Sequence, residues 1–567
     1  MNAFRALSAT LALASILSFH SRGHGQTAPS RYWVQFEGKL TDDLPAGYST
    51  PYTLETPSAF LSPKAIFRRI KQNIDVTAHD LPIPPSYIDS LQTMEGFRVI
   101  LKSKWFNAVT IAVVDSAFDP YTLLALPMVN AVKSVQCIQG DIREPVVLEP
   151  PRESVEPTAY GGGLVALEQL NADWLHGLGF RGDGMTIAVL DAGFENTESL
   201  PIFQRAWDEG RIQEGLDAMY SQGGLFAHHR HGTAVLGTMA GHLKDSLIGT
   251  APDASYVLYR TEDAYSEYLI EEDYWVAAAE HADSAGVDLI NTSLGYSLFD
   301  DSTMNHVYAD LNGTTARISQ AAEWAAEKGI LCTTSAGNSG AAAWHYITAP
   351  ADADGILTVG AVNANGQHAV FSGWGPTADG RVKPDVMALG VQAAYPFADS
   401  TIRRGNGTSF SSPILCGAAA CLWQAFPEAT AQEIRHAIAA SAHLHGQPND
   451  SMGNGIPDFR RAFGLLNDTG AASWVAQASS ESLIFPNPSN DGTLRWIYHG
   501  TKIPSTWQFL DANGHLLEEG HVTTWSTAEG HLQGYIQVDA KLPNGTYIFQ
   551  LTGTDAVLVS KPWILMR

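Results

Sequence analysis

Met185-Thr186-Ile187-Ala188-Val189-Leu190-Asp191-Ala192-Gly193 decides the fold. A run of six apolar or β-branched residues with no polar alternation reads as a strand buried on both faces, and it stops at a carboxylate followed by glycine. Working outward, three further runs have the same character: Tyr256-Val257-Leu258-Tyr259, Val287-Asp288-Leu289-Ile290 and Ile330-Leu331-Cys332-Thr333-Thr334. Helical segments separate them. This alternation, from about 159 to 469, predicts an α/β domain with a doubly wound, mostly parallel sheet and helices on both faces. In such sheets working residues gather outside the carboxyl ends of the strands, which puts Asp191 in the crevice.

Three other patterns fall at element ends. His231-Gly232-Thr233 opens the helical run Ala234 to Met239. Asn406-Gly407-Thr408-Ser409-Phe410-Ser411-Ser412-Pro413 leads into a helix over Ile414 to Trp423. Ser335-Ala336-Gly337-Asn338-Ser339-Gly340 follows the strand Ile330 to Thr334. Each alone is ordinary: an Asp after a strand is a turn former, a His-Gly pair is a loop, and Ser at a helix start is a cap. Together, in the order Asp, His, Ser, they carry a chemistry. A serine hydroxyl is a poor nucleophile until an imidazole takes its proton, and the imidazole needs a buried carboxylate to fix its tautomer. The Asn338 amide and the Ser409 backbone N–H would then supply donors to a developing oxyanion, aided by the helix start.

The blocks Asp191-Ala192-Gly193, His231-Gly232-Thr233, Ser335-Ala336-Gly337-Asn338 and Gly407-Thr408-Ser409 resemble the four signature blocks of the subtilisin-like serine peptidases. Gly249-Thr250-Ala251-Pro252, Asn291-Thr292-Ser293-Leu294-Gly295, Phe371-Ser372-Gly373-Trp374-Gly375-Pro376 and Lys383-Pro384-Asp385 agree with it. The resemblance implies that Asp191 orients, His231 acts as general base and then acid, Ser409 is the nucleophile and Asn338 the oxyanion donor. It also implies that Ser293, Leu294 and Gly295 form an edge that pairs with an extended protein or peptide substrate. Two residues depart from the pattern. Ala192 removes a hydroxyl near the Asp191 carboxylate, and Phe410 stands where many relatives have Met, so peroxide is not expected to inactivate the enzyme beside Ser409.

His228, His229 and His231 invite a rival zinc reading, which leaves Ser409 and Asn338 unexplained. No cofactor is required on this reading. Relatives often bind calcium, but no Asp-rich loop here has recognisable ligand spacing, so a structural calcium has no identified site and no metal ligands are assigned. Of four cysteines, Cys416 and Cys421 lie five apart on one helix, a poor geometry for a mutual disulfide, and Cys332 lies on a strand near the site. Buried small hydrophobes describe them best; Cys137 lies outside the peptidase region.

The chain has 567 residues with 34 Lys+Arg against 59 Asp+Glu, a formal net charge of −25, which argues against nucleic acid and anionic lipid as partners. With 45% hydrophobic and 16% charged residues it is too apolar for extensive disorder. Arg5 and the apolar run Ala6 to Leu17 read as an export signal within 1–25, and no later stretch is long and apolar enough for a membrane span. Residues 26–155 read as an α+β unit ending in the Pro/Glu-rich linker Glu144 to Pro157, the position of a subtilase propeptide, which would act as inhibitor until removed. The peptidase domain is placed at 156–470. Residues 471–567, with Thr493 to Tyr498, Thr546 to Leu551 and Asn-Gly turns at Asn513-Gly514 and Asn544-Gly545, read as an antiparallel β-sandwich. Ile484-Phe485-Pro486-Asn487-Pro488 and Gly545-Thr546-Tyr547 make it similar to the sorting domains of the type IX secretion route in Bacteroidota. The expectation is a secreted or surface serine endopeptidase made as a zymogen, reaching its place via the periplasm; the alternative is a catalytically silent surface-binding protein that keeps the fold.

Overall fold

The computed structural model describes residues 30–136, 159–219, 224–397 and 400–468, together with eight strands and short flanks between 483 and 565. The export signal, Cys137, the Glu144 to Pro157 linker, Pro486-Asn487-Pro488 and the Asn513-Gly514 turn lie outside the described residues.

The N-terminal unit carries β1 (Arg31–Phe36), α1 (Pro63–Lys71), α2 (Pro85–Gln92), β2 (Phe97–Ser103), β3 (Ala108–Val113) and β4 (Val129–Gln136). Its sheet has the order β2-β3-β1-β4 and is antiparallel throughout. The segment around Leu123 forms only a 3-10 stretch, Pro120–Ala125, because Pro120 and Pro127 leave too little chain between them for an α-helical nucleus.

The next unit starts with α3 (Leu164–Gln169), α4 (Ala172–Gly177), β5 (Thr186–Asp191), α5 (Gln204–Asp208), β6 (Ile212–Asp217) and α6 (His231–Ala240). A two-residue hairpin, β7 (His242–Leu243) and β8 (Leu247–Ile248), leads to β9 (Ser255–Arg260), α7 (Ile270–Ala285), β10 (Leu289–Thr292), α8 (Arg317–Glu327) and β11 (Leu331–Ser335). It closes with β12 (Leu357–Val362), β13 (Val386–Leu389), the hairpin β14 (Ala393–Pro396) and β15 (Ile402–Gly405), α9 (Thr408–Ala425), α10 (Ala431–Ser441) and α11 (Phe459–Asp468).

The seven-stranded sheet runs β13-β12-β11-β10-β5-β9-β6, and every pair in it is parallel. Its two faces explain the continuous apolar runs. Ile187, Val189, Leu258 and Leu289 face a core shared with α6 and α9, and Ala188, Leu190, Tyr259 and Ile290 face one shared with α7 and α8. The central β5 is flanked by β9 and β10, so the chain following each of those strands emerges beside Asp191.

The N-terminal unit seats on α7. Arg68 and Arg69 of α1 both pair with Asp283, at 2.5 and 2.8 Å, with both guanidinium groups and the carboxylate buried. Glu280 accepts hydrogen bonds from Ser103 Oγ (2.6 Å) and from the backbone N–H groups of Lys104 (2.7 Å) and Trp105 (3.0 Å). Lys104, Arg68 and Arg69 overcome burial and hold the Asp283 carboxyl well below the usual carboxylate range.

The C-terminal strands form two antiparallel four-stranded sheets, β16-β17-β21-β20 and β19-β18-β22-β23, where β16 is Leu483–Phe485, β17 Thr493–Tyr498, β18 Thr506–Leu510, β19 Leu516–His521, β20 Trp525–Ala528, β21 His531–Gln537, β22 Gly545–Thr552 and β23 Val557–Leu565. Leu494, Trp496 and Ile536 of one sheet and Trp507, Phe509, Phe549 and Leu551 of the other make one apolar layer, as a sandwich requires.

Candidate active site

Asp191 is the last residue of β5 and is 1% exposed. Its Oδ1 accepts from His231 Nδ1 at 2.7 Å and from the Ala192 backbone N–H at 2.8 Å. Oδ2 is buried with no hydrogen-bond partner, and Ala192 has no hydroxyl to offer one. His231 is the first residue of α6. Burial disfavours its imidazolium, but the charge and hydrogen bond of Asp191, with a contribution from Glu262, outweigh that and raise its pKa to about 9.

Ser409 is the second residue of α9. This helix begins at Thr408, six residues before the expected Ile414, and so contains Pro413. A proline inside a helix cannot donate to the carbonyl four residues back, which here is that of Ser409. That carbonyl accepts instead from the Ser293 hydroxyl at 3.0 Å. Early burial offsets the cost of the proline: Phe410, Ile414 and Leu415 all enter the main core. Phe410 also stacks on Tyr395, with ring centroids 5.0 Å apart.

Asn338 stands on the segment leaving β11. Its Oδ1 accepts from the Thr408 backbone N–H at 2.9 Å and from Thr408 Oγ1 at 3.0 Å. With the oxygen doubly held, the Nδ2 donors are left for another acceptor. Helix α6, which carries His231, packs on α9, which carries Ser409. No hydrogen bond joins the Ser409 hydroxyl to His231; the bond on His231 is the one to Asp191. Ser293, Leu294 and Gly295 directly follow β10; Leu294 is buried, and Ser293 is tied to Asn291 Nδ2 (3.0 Å) as well as to Ser409. The structure thus joins Asp191 to His231, Asn338 to Thr408 and Ser293 to the Ser409 carbonyl.

His228 and His229 do not converge with His231 on one point. The His229 and His231 rings stack with centroids 6.4 Å apart, and among the described residues no group of three His, Cys, Asp or Glu could hold a metal ion. Cys332, Cys416 and Cys421 are buried and free, and burial pushes the Cys416 thiol up to about 12.

Two features were missed in the sequence. Thr408 was read only as part of a motif, although its backbone and hydroxyl set the Asn338 amide. The segment after β9 carries Glu262, Asp263 and Glu267, and α7 starts with Glu271, a four-residue acidic spacing (263, 267, 271) that could have marked a clustered face.

The seven-stranded parallel sheet with helices on both faces is a subtilisin-like fold. Residues 182–464 match the subtilase family, and residues 31–145 match the peptidase S8 propeptide domain of Bacteroidota. The chain thus carries a subtilase domain behind a propeptide domain, and it is a serine endopeptidase. Subtilisin DY of Bacillus licheniformis is 28% identical over 275 residues, covering 48% of this chain and 89% of that protein. A thermostable alkaline protease of Halalkalibacterium halodurans is 29% identical over 295 residues, covering 52% and 71%. The solved structure of the MycP3 protease from the type VII (ESX-3) secretion system is similar at 23% identity, covering 54% of this chain and 89% of that one, with a TM-score of 0.43.

Proposed function

We propose that the protein is a secreted serine endopeptidase, made as a zymogen, that cleaves peptide bonds through an acyl-enzyme on Ser409. His231 takes the Ser409 proton and returns it to the leaving amine. Asp191 holds the imidazole with its Nδ1 proton inward and stabilises the imidazolium. The Asn338 Nδ2 and the Ser409 N–H receive the oxyanion. Ser293, Leu294 and Gly295 present main-chain groups to an extended peptide, and no cofactor takes part. The observation that carries this reading is the 2.7 Å bond from His231, the first residue of α6, to a buried Asp191, with α6 packed on the helix whose second residue is Ser409.

Labelling with a fluorophosphonate tests it. The processed protein is expected to label at Ser409 and Ser409→Ala to stay unlabelled; a processed wild-type protein that takes no label sinks the reading and leaves the silent binding protein. Ser409→Ala should also accumulate unprocessed precursor. No helix among the described residues is long and apolar enough to cross a membrane. Export by the signal and sorting by the C-terminal sandwich through the type IX machinery complete the proposal, supported by the Bacteroidota type of the propeptide. Deleting residues 480–567 should trap the protein in the periplasm, and unchanged release would remove the sorting role.

A further inference from the structure

Beside the Asp191–His231 pair lies a cluster of carboxylates that the chemistry above does not use. Asp191 and Arg260 are register partners in β5 and β9, and the Thr261 backbone N–H donates to the Asp191 carbonyl at 3.0 Å. Glu262, the next residue, therefore stands against the site; Asp191 and His231 are its charged neighbours, with Tyr296 beside it. Glu267 follows on the same segment, and its backbone N–H donates to Asp300 Oδ2 at 3.0 Å. Glu271, from the first turn of α7, accepts from the Asp263 N–H at 3.0 Å through Oε1.

One buried carboxylate oxygen in this cluster has no partner. Glu271 is 2% exposed, and its Oε2 lacks any hydrogen bond. Tyr296 is fully buried, and its hydroxyl lies beside the Glu262 carboxylate. Among the described residues no Lys or Arg acts on Glu262 or Glu267. Burial and mutual repulsion raise Glu267 and Glu271 well above the usual carboxylate range, and burial with the Asp191 charge raises Glu262 to about 7. Unpaired carboxylates held together in this way are complementary to a cation supplied from outside. The cluster does not supply three convergent metal ligands, which favours an extended, flexible cation over a metal ion. Glu262 and Glu267 are only half-buried, so such a group can reach them.

We propose that Glu262 and Glu267, backed by Glu271 and Tyr296, bind a lysine or arginine side chain of the peptide substrate, so that the enzyme prefers a basic residue near the cleaved bond. This rests on the peptidase reading of Ser409. Tyr296 and Asp300 continue the same loop that begins with Ser293, Leu294 and Gly295. Tyr296, next to Gly295 and beside Glu262, therefore puts the acidic loop close to that edge. A long cationic side chain suits the place because its stem can cross the half-buried rim while its head meets the carboxylates.

Quenched peptides that differ only in carrying lysine, norleucine or glutamate at each of the four residues before the cleaved bond test the proposal on the processed enzyme. At one of these positions lysine is expected to exceed norleucine in kcat/KM by about tenfold. The ratio should fall towards one in Glu262→Gln, fall in Glu267→Gln, and turn towards glutamate in Glu262→Lys. Fluorophosphonate titration counts folded active sites in every variant. A wild-type enzyme that labels and cleaves all three peptides equally overturns the proposal and leaves the peptidase reading intact, whereas absence of labelling overturns both. A lysine preference that survives Glu262→Gln and Glu267→Gln, or a cluster that binds calcium at millimolar concentration and gains no selectivity without it, also overturns the proposal.

Discussion

The Ser293 hydroxyl donates to the Ser409 carbonyl at 3.0 Å, joining the edge that would hold substrate to the residue that would attack it. Pro413 leaves that carbonyl free of its helical donor, so the bond satisfies a group the helix cannot. Ser293→Ala removes it while leaving the main chain of the edge in place. With a net hydrogen bond near 1 kcal/mol, kcat/KM is expected to fall about fivefold, mostly in kcat. Ser293→Thr should recover most of the loss. A change confined to KM, or no rescue by Thr, would show that the hydroxyl does not position Ser409.

His231 must be neutral to accept the Ser409 proton, and its pKa of about 9 places that requirement in the alkaline range. kcat/KM should therefore rise with pH and level off above pH 9. Glu262 is one of the charges holding the imidazolium, and at pH values above its own pKa of about 7 it is mostly ionised. Removing that charge in Glu262→Gln lowers the His231 pKa, so the rising limb should move to lower pH. A limb that stays put, or moves up, would contradict the assigned electrostatics.

Asn338 offers its amide hydrogens because Thr408 occupies its oxygen twice. Asn338→Ala should lower kcat by roughly 100- to 1,000-fold with little change in KM, the usual cost of one oxyanion donor. Asn338→Asp keeps the acceptor for Thr408 but has no donor, and should be at least as slow. Thr408→Val retains the backbone bond and loses the hydroxyl, so a smaller drop of about fivefold is expected. Equal activity of Asn338→Asp and wild type would remove Asn338 from the oxyanion site.

Much of this arrangement was legible because it is local. The run from Met185 to Leu190 could only be a doubly buried strand, and the residue that ends it is the one that reaches His231. The start of α9 was not legible, since Pro413 looks like a boundary until tertiary burial of Phe410 and Ile414 is known. The place of the acidic loop was also hidden: its spacing marks a cluster, but only the pairing of β5 with β9 sets Glu262 beside Asp191. The same limit applies to Arg68 and Asp283, which meet across more than two hundred residues.

That last contact sets how firmly the propeptide is held. Asp283 is fully buried between Arg68 and Arg69, and Lys104 adds a third cation at 3.1 Å. Removing one partner of a buried ion network leaves uncompensated charge and costs about 3–5 kcal/mol. Asp283→Asn, made in a Ser409→Ala background so that the precursor stays whole, should lower the unfolding midpoint of the propeptide unit and open it to limited trypsin digestion. Unaltered protease resistance in Asp283→Asn would show that β2 packing and the Glu280 hydrogen bonds hold the propeptide without the arginine pair.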